Sequence, residues 1–259
     1  PLSLGLPSPL LPLLENRMKN LLSRLRYPLI QAPMAGVQNE ALTIAACRAG
    51  VLGSLPAAMY SAEALDSALA AIRAAVAEAP YNVNFFAHRP PKVSEAQRVA
   101  WQALLAPHLA RFGLTAADIP ADPGRRPFDE TALALLQKPR PPVVSFHFGL
   151  PEAPLLQAVR ATGAKILSSA TSVAEARWLA ERGVDGIIVQ GLEAGGHRGW
   201  FLNDDPNAQS GLFALLPNIR RAVSLPVVAA GGISDAASVR AAMQLGADAV
   251  QVGSALLLA

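Results

Sequence analysis

Four histidines and a single cysteine occur among the 259 residues, which leaves few groups able to move a proton near neutral pH. His147 is the best placed of them. It lies in PVVSFHFG (142–149), where strand alternation puts Val143, Ser145 and His147 on one face and Val144, Phe146 and Phe148 on the other. The bulky apolar set suits a layer packed beneath helices, so His147 is expected to project inward at the C-terminal end of its strand. An imidazole there could take a proton from a carbon acid or hydrogen bond to an oxyanion. His197, in the glycine-rich run EAGGHRG, is the competitor, on a loop that preorganises a proton transfer less well. His88 and His108 fall in a long connection and are expected to be solvated. The four histidines have no metal-ligand spacing, so no metal is expected. Cys47, in the helical run ALTIAACRAG, reads as a buried inert thiol, and one cysteine excludes an intrachain disulfide.

Three further runs join an apolar strand to a glycine-rich turn: QGLEAGGHRG (190–199), PVVAAGGISD (226–235) and GADAVQVGS (246–254). Glycines let successive backbone N–H groups converge on an anion without a Cβ in the way. Turns after the seventh and eighth strands of a barrel commonly bind phosphate, so GGIS (231–234) and VGS (252–254) are expected to hold one. No GxGxxG follows the first strand, which argues against a tightly held dinucleotide of the Rossmann type.

The elements that must position these groups alternate regularly. Candidate strands begin at Tyr27, Val51, Tyr81, Pro142, Lys165, Gly186, Pro226 and Asp248, with amphipathic helical runs between them, such as the one opening at Ser61 and the one ending on Gly183. Eight alternating units predict an α/β fold: a closed, parallel, eight-stranded TIM (β/α)8 barrel. Two connections are long, 87–141 after the third strand and 191–225 after the sixth. Extra length at the C-terminal mouth is expected to build a lid or pocket wall, and the first connection is expected to form a lid-like insertion. The proline-broken segment 1–17 reads as an N-terminal extension and 18–259 as one barrel domain; with Ala259 directly after the last strand, the C-terminal helical part expected of a barrel looks to be missing.

Composition agrees with a globular chain: 52% hydrophobic and 16% charged residues leave little room for disorder. The net charge of +3 is dispersed and no basic run carries interleaved aromatics, which fits anionic small ligands and speaks against nucleic acid. No apolar run is long enough to span a bilayer, and the leucine-rich start makes a poor signal peptide; a cytoplasmic location is expected.

These four motifs in order, with YPLIQAPMAGV (27–37) near the start, resemble the nitronate monooxygenases, FMN-dependent barrel enzymes. The resemblance implies FMN as cofactor, with Ala32, Pro33 and Met34 beside its ring system, Asn84 and Gln190 hydrogen bonded to it, and Gly195, Gly232, Gln251, Val252, Gly253 and Ser254 completing the site. It implies His147 as the catalytic histidine and oxidation of alkyl nitronates, such as propionate 3-nitronate, by O2 to carbonyl products and nitrite or nitrate. An NAD(P)H-dependent FMN reductase on the same barrel, a quinone or enoyl reductase, is the alternative that the phosphate turns do not separate. The expected partners are a small nitronate and O2; a homodimer is left open. The resemblance also implies a longer chain, with further helices closing the substrate cavity.

Overall fold

The computed structural model describes residues 17–76, 78–90, 92–119, 125–203 and 205–257. Strands form at all eight expected places: β1 Leu29–Gln31, β2 Gly53–Pro56, β3 Tyr81–Phe86, β4 Val143–His147, β5 Lys165–Ala170, β6 Gly186–Gln190, β7 Val227–Ala230 and β8 Ala249–Val252. Every pairing is parallel and the sheet runs β1-β8-β7-β6-β5-β4-β3-β2. A bridge between Ile30 and Leu52 joins β1 to β2 and closes the circle, carried by Gln31 N–H to the Leu52 carbonyl at 2.9 Å and Leu52 N–H to the Leu29 carbonyl at 3.0 Å.

A first helix, α1 Arg17–Ser23, precedes the barrel, and the later helices lie outside the strands: α2 Glu40–Arg48, α3 Ala62–Val76, α4 Glu95–Ala110, α5 Glu130–Gln137, α6 Ala153–Ala161, α7 Val173–Glu181, α8 Leu212–Ala222 and α9 Ala236–Gln244. Their starts are written in the sequence. Ser61 accepts from Ala64 N–H, and Asn39, Asp129, Ser172 and Asp235 cap α2, α5, α7 and α9. In α3 the buried residues Leu65, Ala68, Leu69, Ile72 and Val76 recur at helical spacing and face the strands. Each large side chain of that stripe contributes about 1.5 to 3 kcal/mol by leaving water.

Strand alternation divides the interior in two. Val144, Phe146, Ile166, Ile187, Val227 and Val250 pack outward against the helices. Ile30, Leu52, Val143, Leu167, Ile188, Val228 and Ala249 fill the barrel, and Met18 and Leu22 of α1 join them as a plug. Residues 1–16, the bulk of the expected extension, lie outside the described residues. Above the apolar layer the interior turns polar: Asn82 donates to Ser54 Oγ (3.1 Å) and Ser145 Oγ (2.9 Å), and Asn84 donates to the same Ser145 hydroxyl at 2.9 Å. This polar layer is the floor on which the mouth of the barrel is built.

The insertion after β3 is present and carries α4, which has no buried residue. None of its described residues lines the cavity at the barrel mouth, which is walled instead by the connection after β6. The apolar side chains of α4 face outward, with Trp101 and Leu104 among them.

Candidate active site

At the C-terminal ends of the strands lies a cavity of about 580 Å³, a size ordinary for a small-molecule site. Four elements bring its polar groups together. β4 delivers His147, β5 Ser169, β6 Gln190 and β8 Gln251, each at an inward position of its strand. The turns after β1, β6, β7 and β8 supply the rest of the wall, including Ala32, Pro33, Met34, Gly195, Gly232, Gly253 and Ser254. Asn84 of β3 lines it too. Of the residues that the sequence brought forward, Val252 alone stays outside. It is the neighbour of Gln251 on β8, so its side chain faces the helices, and its carbonyl accepts Ala32 N–H at 2.8 Å.

His147 is held at both ring nitrogens. Nε2 lies 3.1 Å from the main-chain carbonyl oxygen of His197, and Nδ1 lies 2.7 Å from Ser169 Oγ. A carbonyl oxygen only accepts, so the neutral ring carries its proton on Nε2, and Nδ1 accepts from the serine hydroxyl. Burial pushes the imidazole down to about 4; the His197 carbonyl opposes this, and the positive charges of His197 and Arg198 add to it. At neutral pH His147 is therefore an uncharged N–H donor. Phe148, at φ +69, packs its ring 4.5 Å from the imidazole, in a left-handed conformation uncommon for a bulky residue.

Gln190 shares the same acceptor. Its Nε2 donates to the His197 carbonyl at 2.9 Å, and its Oε1 accepts Gly199 N–H at 2.7 Å. Two side-chain donors thus converge on one oxygen inside the cavity. Gly199 is pressed against them: a Cβ there would stand 2.6 Å from His147 Cε1 and 2.8 Å from Ser169 Oγ, so only glycine fits.

The remaining histidines divide differently from expectation. It is the backbone of His197, more than its exposed ring, that meets His147, although the ring also lines the cavity and packs 5.5 Å from Phe86. His88 is half-buried rather than solvated, its ring 6.1 Å from both Phe86 and Phe148 and its basicity lowered by burial. His108 is exposed on α4. Among the described residues no three His, Cys, Asp or Glu side chains group as metal ligands, and no helix is long and apolar enough to cross a membrane. Cys47 is buried, and burial raises its thiol.

The wall formed by β8 and the glycine turns carries an unpartnered acceptor. Gln251 Oε1 is buried and has no hydrogen-bond partner among the described residues, an acceptor that an imide N–H of a ring would satisfy. Gly231, at φ +114, would place a Cβ 2.9 Å from Ala194 N, and Gly253 would place one 3.2 Å from Ala32 Cβ. Glycine at these positions lets the turns after β7 and β8 pack closely against those after β6 and β1. The QAPMAG turn is braced from below: Gln38 Oε1 accepts Met34 N–H (3.0 Å) and a Gln31 amide hydrogen (2.8 Å), while Gln31 Oε1 accepts Ser54 N–H (2.9 Å).

Comparison with known proteins places this arrangement. The sequence profile described as nitronate monooxygenase matches residues 16–259. A nitronate monooxygenase of Paraburkholderia phytofirmans is 42% identical over 231 residues, 89% of this chain and 63% of that protein. One from Pseudomonas aeruginosa is 41% identical over 242 residues, 90% of this chain and 67% of that protein. A solved nitroalkane oxidase from Streptomyces ansochromogenes superposes with a TM-score of 0.82 at 36% identity, over 92% of this chain and 67% of that one. The chain spans under two thirds of the length of the Paraburkholderia relative. With the matched profile running from before the barrel plug to the last residue, the chain belongs to the nitronate monooxygenase family.

Proposed function

We propose that this protein binds FMN and oxidises alkyl nitronates, propionate 3-nitronate among them, with O2 to carbonyl products and nitrite or nitrate. The observation that carries the reading is the convergence of His147 Nε2 and Gln190 Nε2 on a single acceptor oxygen, at 3.1 and 2.9 Å, in a cavity faced by the glycine turns of β7 and β8. Family membership and the names of the relatives support it.

In this reading Gly232, Gly253 and Ser254 hold the phosphate of FMN, Ala32, Pro33 and Met34 flank its ring, and Asn84, Gly195 and Gln251 offer polar contacts. FMN held there would supply the redox chemistry between nitronate and O2. The protein's part is to orient an anion and exclude water. A nitronate oxygen is an acceptor of the same kind as the His197 carbonyl, so it would take the single Nε2–H of His147 by displacing that carbonyl, while Gln190 Nε2 has a second hydrogen to offer. The neutral state of His147 matters here: an uncharged N–H orients the nitronate without holding it as a tight ion pair. Removing a proton from a neutral nitroalkane would need an unprotonated nitrogen facing substrate, hence the opposite tautomer, with Ser169 accepting from Nδ1–H.

The test is oxygen consumption coupled to nitrite release with propionate 3-nitronate as substrate. Nitrite formed with O2 uptake and no NADH is the expected result. A colourless chain that cannot be reconstituted with FMN, or a yellow one that consumes NADH and leaves nitronates untouched, would overturn it; the latter would favour the reductase.

A further inference from the structure

We infer that Glu175, which lies outside the cavity, is a positioning residue for His147 and Gln190, acting through the connection between β6 and α8; the inference rests on the reading of His147 as the catalytic histidine. Glu175 stands three residues after Ser172 at the start of α7, and Ser172 Oγ accepts Glu175 N–H at 3.2 Å. That spacing is the pattern of a helix capping box, in which the glutamate reaches back to the N-cap N–H and stays near solvent. Glu175 does something else. It is 1% exposed, and its carboxylate takes four donors: Thr171 N–H (2.7 Å) and Thr171 Oγ1–H (2.8 Å) on one oxygen, Phe201 N–H (2.7 Å) and Leu202 N–H (3.3 Å) on the other.

A buried carboxylate is stable only when its oxygens are satisfied, and half of that satisfaction comes from the loop. The loop segment so anchored carries the groups that touch the site. Gly199, two residues before Phe201, bonds Gln190 and packs on His147 and Ser169; the His197 carbonyl receives both donors. Phe201 itself wedges its ring against Trp178 of α7 at 5.1 Å and over Gly149, the turn that follows His147. One carboxylate thus ties the α7 corner to a strap that presses on β4, β5 and β6 together. Displacing a reacting group by about an ångström can cost on the order of a hundredfold in rate.

The test compares FMN-loaded wild type with Glu175→Gln, which turns one acceptor oxygen into a donor facing donors, and with Glu175→Asp, which keeps the charge but shortens the reach. Three readouts are taken: kcat and KM for propionate 3-nitronate, amide exchange at Phe201 and Leu202, and the ¹⁵N resonances of the His147 ring. The expected result in both variants is a fall in kcat/KM of roughly 10- to 100-fold, faster exchange at the two amides and a shifted imidazole spectrum. FMN affinity should fall less than kcat/KM, because the phosphate turns belong to β7 and β8 and only Gly195 of the anchored connection is assigned to the flavin. Unchanged imidazole resonances in either folded variant would overturn the inference, as would a loss shared equally by FMN affinity and turnover. The spectrum and the exchange are read without turnover, so they decide the matter even in a chain that oxidises no nitronate.

Discussion

Acid should unfold the wild-type protein earlier than its His147→Asn variant, and the difference can be sized. Held neutral by burial, the ring titrates near 4 in the folded chain against an ordinary value of 6.5. Between those two values the unfolded chain binds a proton that the folded chain refuses, so stability is lost as the pH falls through that window. A gap of about 2.5 units corresponds to about 3 kcal/mol, a large share of the 5 to 15 kcal/mol typical of a domain. The groups that face the imidazole do not cancel the effect. Ser169 is neutral, Phe86 and Phe148 are apolar, and the cations of His197 and Arg198 oppose protonation. His88, also depressed by burial, is present in both proteins and drops out of the difference. Urea unfolding followed by circular dichroism at steps from about pH 7.5 to about pH 4 gives both stabilities. The wild type should lose about 3 kcal/mol more than the variant over that span, with unchanged denaturant slopes. A difference between the two curves that stays constant within about 0.5 kcal/mol across the span would refute the buried neutral histidine.

Three other outcomes follow from the same geometry. His147→Asn keeps an N–H donor but no titratable ring, so FMN content should stay near wild type while turnover of a preformed nitronate falls by roughly 10-fold, the scale of one hydrogen bond; equal rates on nitronate and nitroalkane in mutant and wild type would make His147 structural. Gly199→Ala would drive a methyl group into His147 and Ser169, and should lower kcat/KM by roughly 100-fold with little effect on flavin binding; a wild-type rate would show that the strap yields freely. Heat or acid should release FMN rather than FAD from the purified yellow chain, and FAD in the supernatant would contradict the phosphate turns as read.

The barrel was legible because each strand is an apolar run bounded by glycine, proline or a turn, and the helices between them carry their own caps. The inward position of His147 was legible for the same reason, through period-two alternation in PVVSFHFG, whereas Phe148, expected beneath the helices, leaves the strand at φ +69 and packs on the imidazole instead. The groups around it were not. Ser169 sits in KILSSA, which reads as a plain buried strand, and its hydroxyl matters only because the β4–β5 pairing sets it beside His147. Glu175 follows a serine at capping-box spacing, a pattern whose local meaning hides the long-range one. In EAGGHRG the eye goes to the imidazole, yet the carbonyl of His197 makes the contact, and no side-chain motif announces a backbone oxygen. Val252, next to Gln251 on β8, has the outward side chain that alternation gives it.

The proposed reaction requires electrons to pass from a nitronate to a flavin held in this cavity. The direct measurement is the visible spectrum of the FMN-loaded chain, recorded anaerobically before and after addition of propionate 3-nitronate, and in a second sample after NADH. The oxidised flavin bands should change on adding the nitronate, recover when O2 is admitted, and stay unchanged with NADH. Bands that ignore the nitronate and bleach with NADH would contradict it.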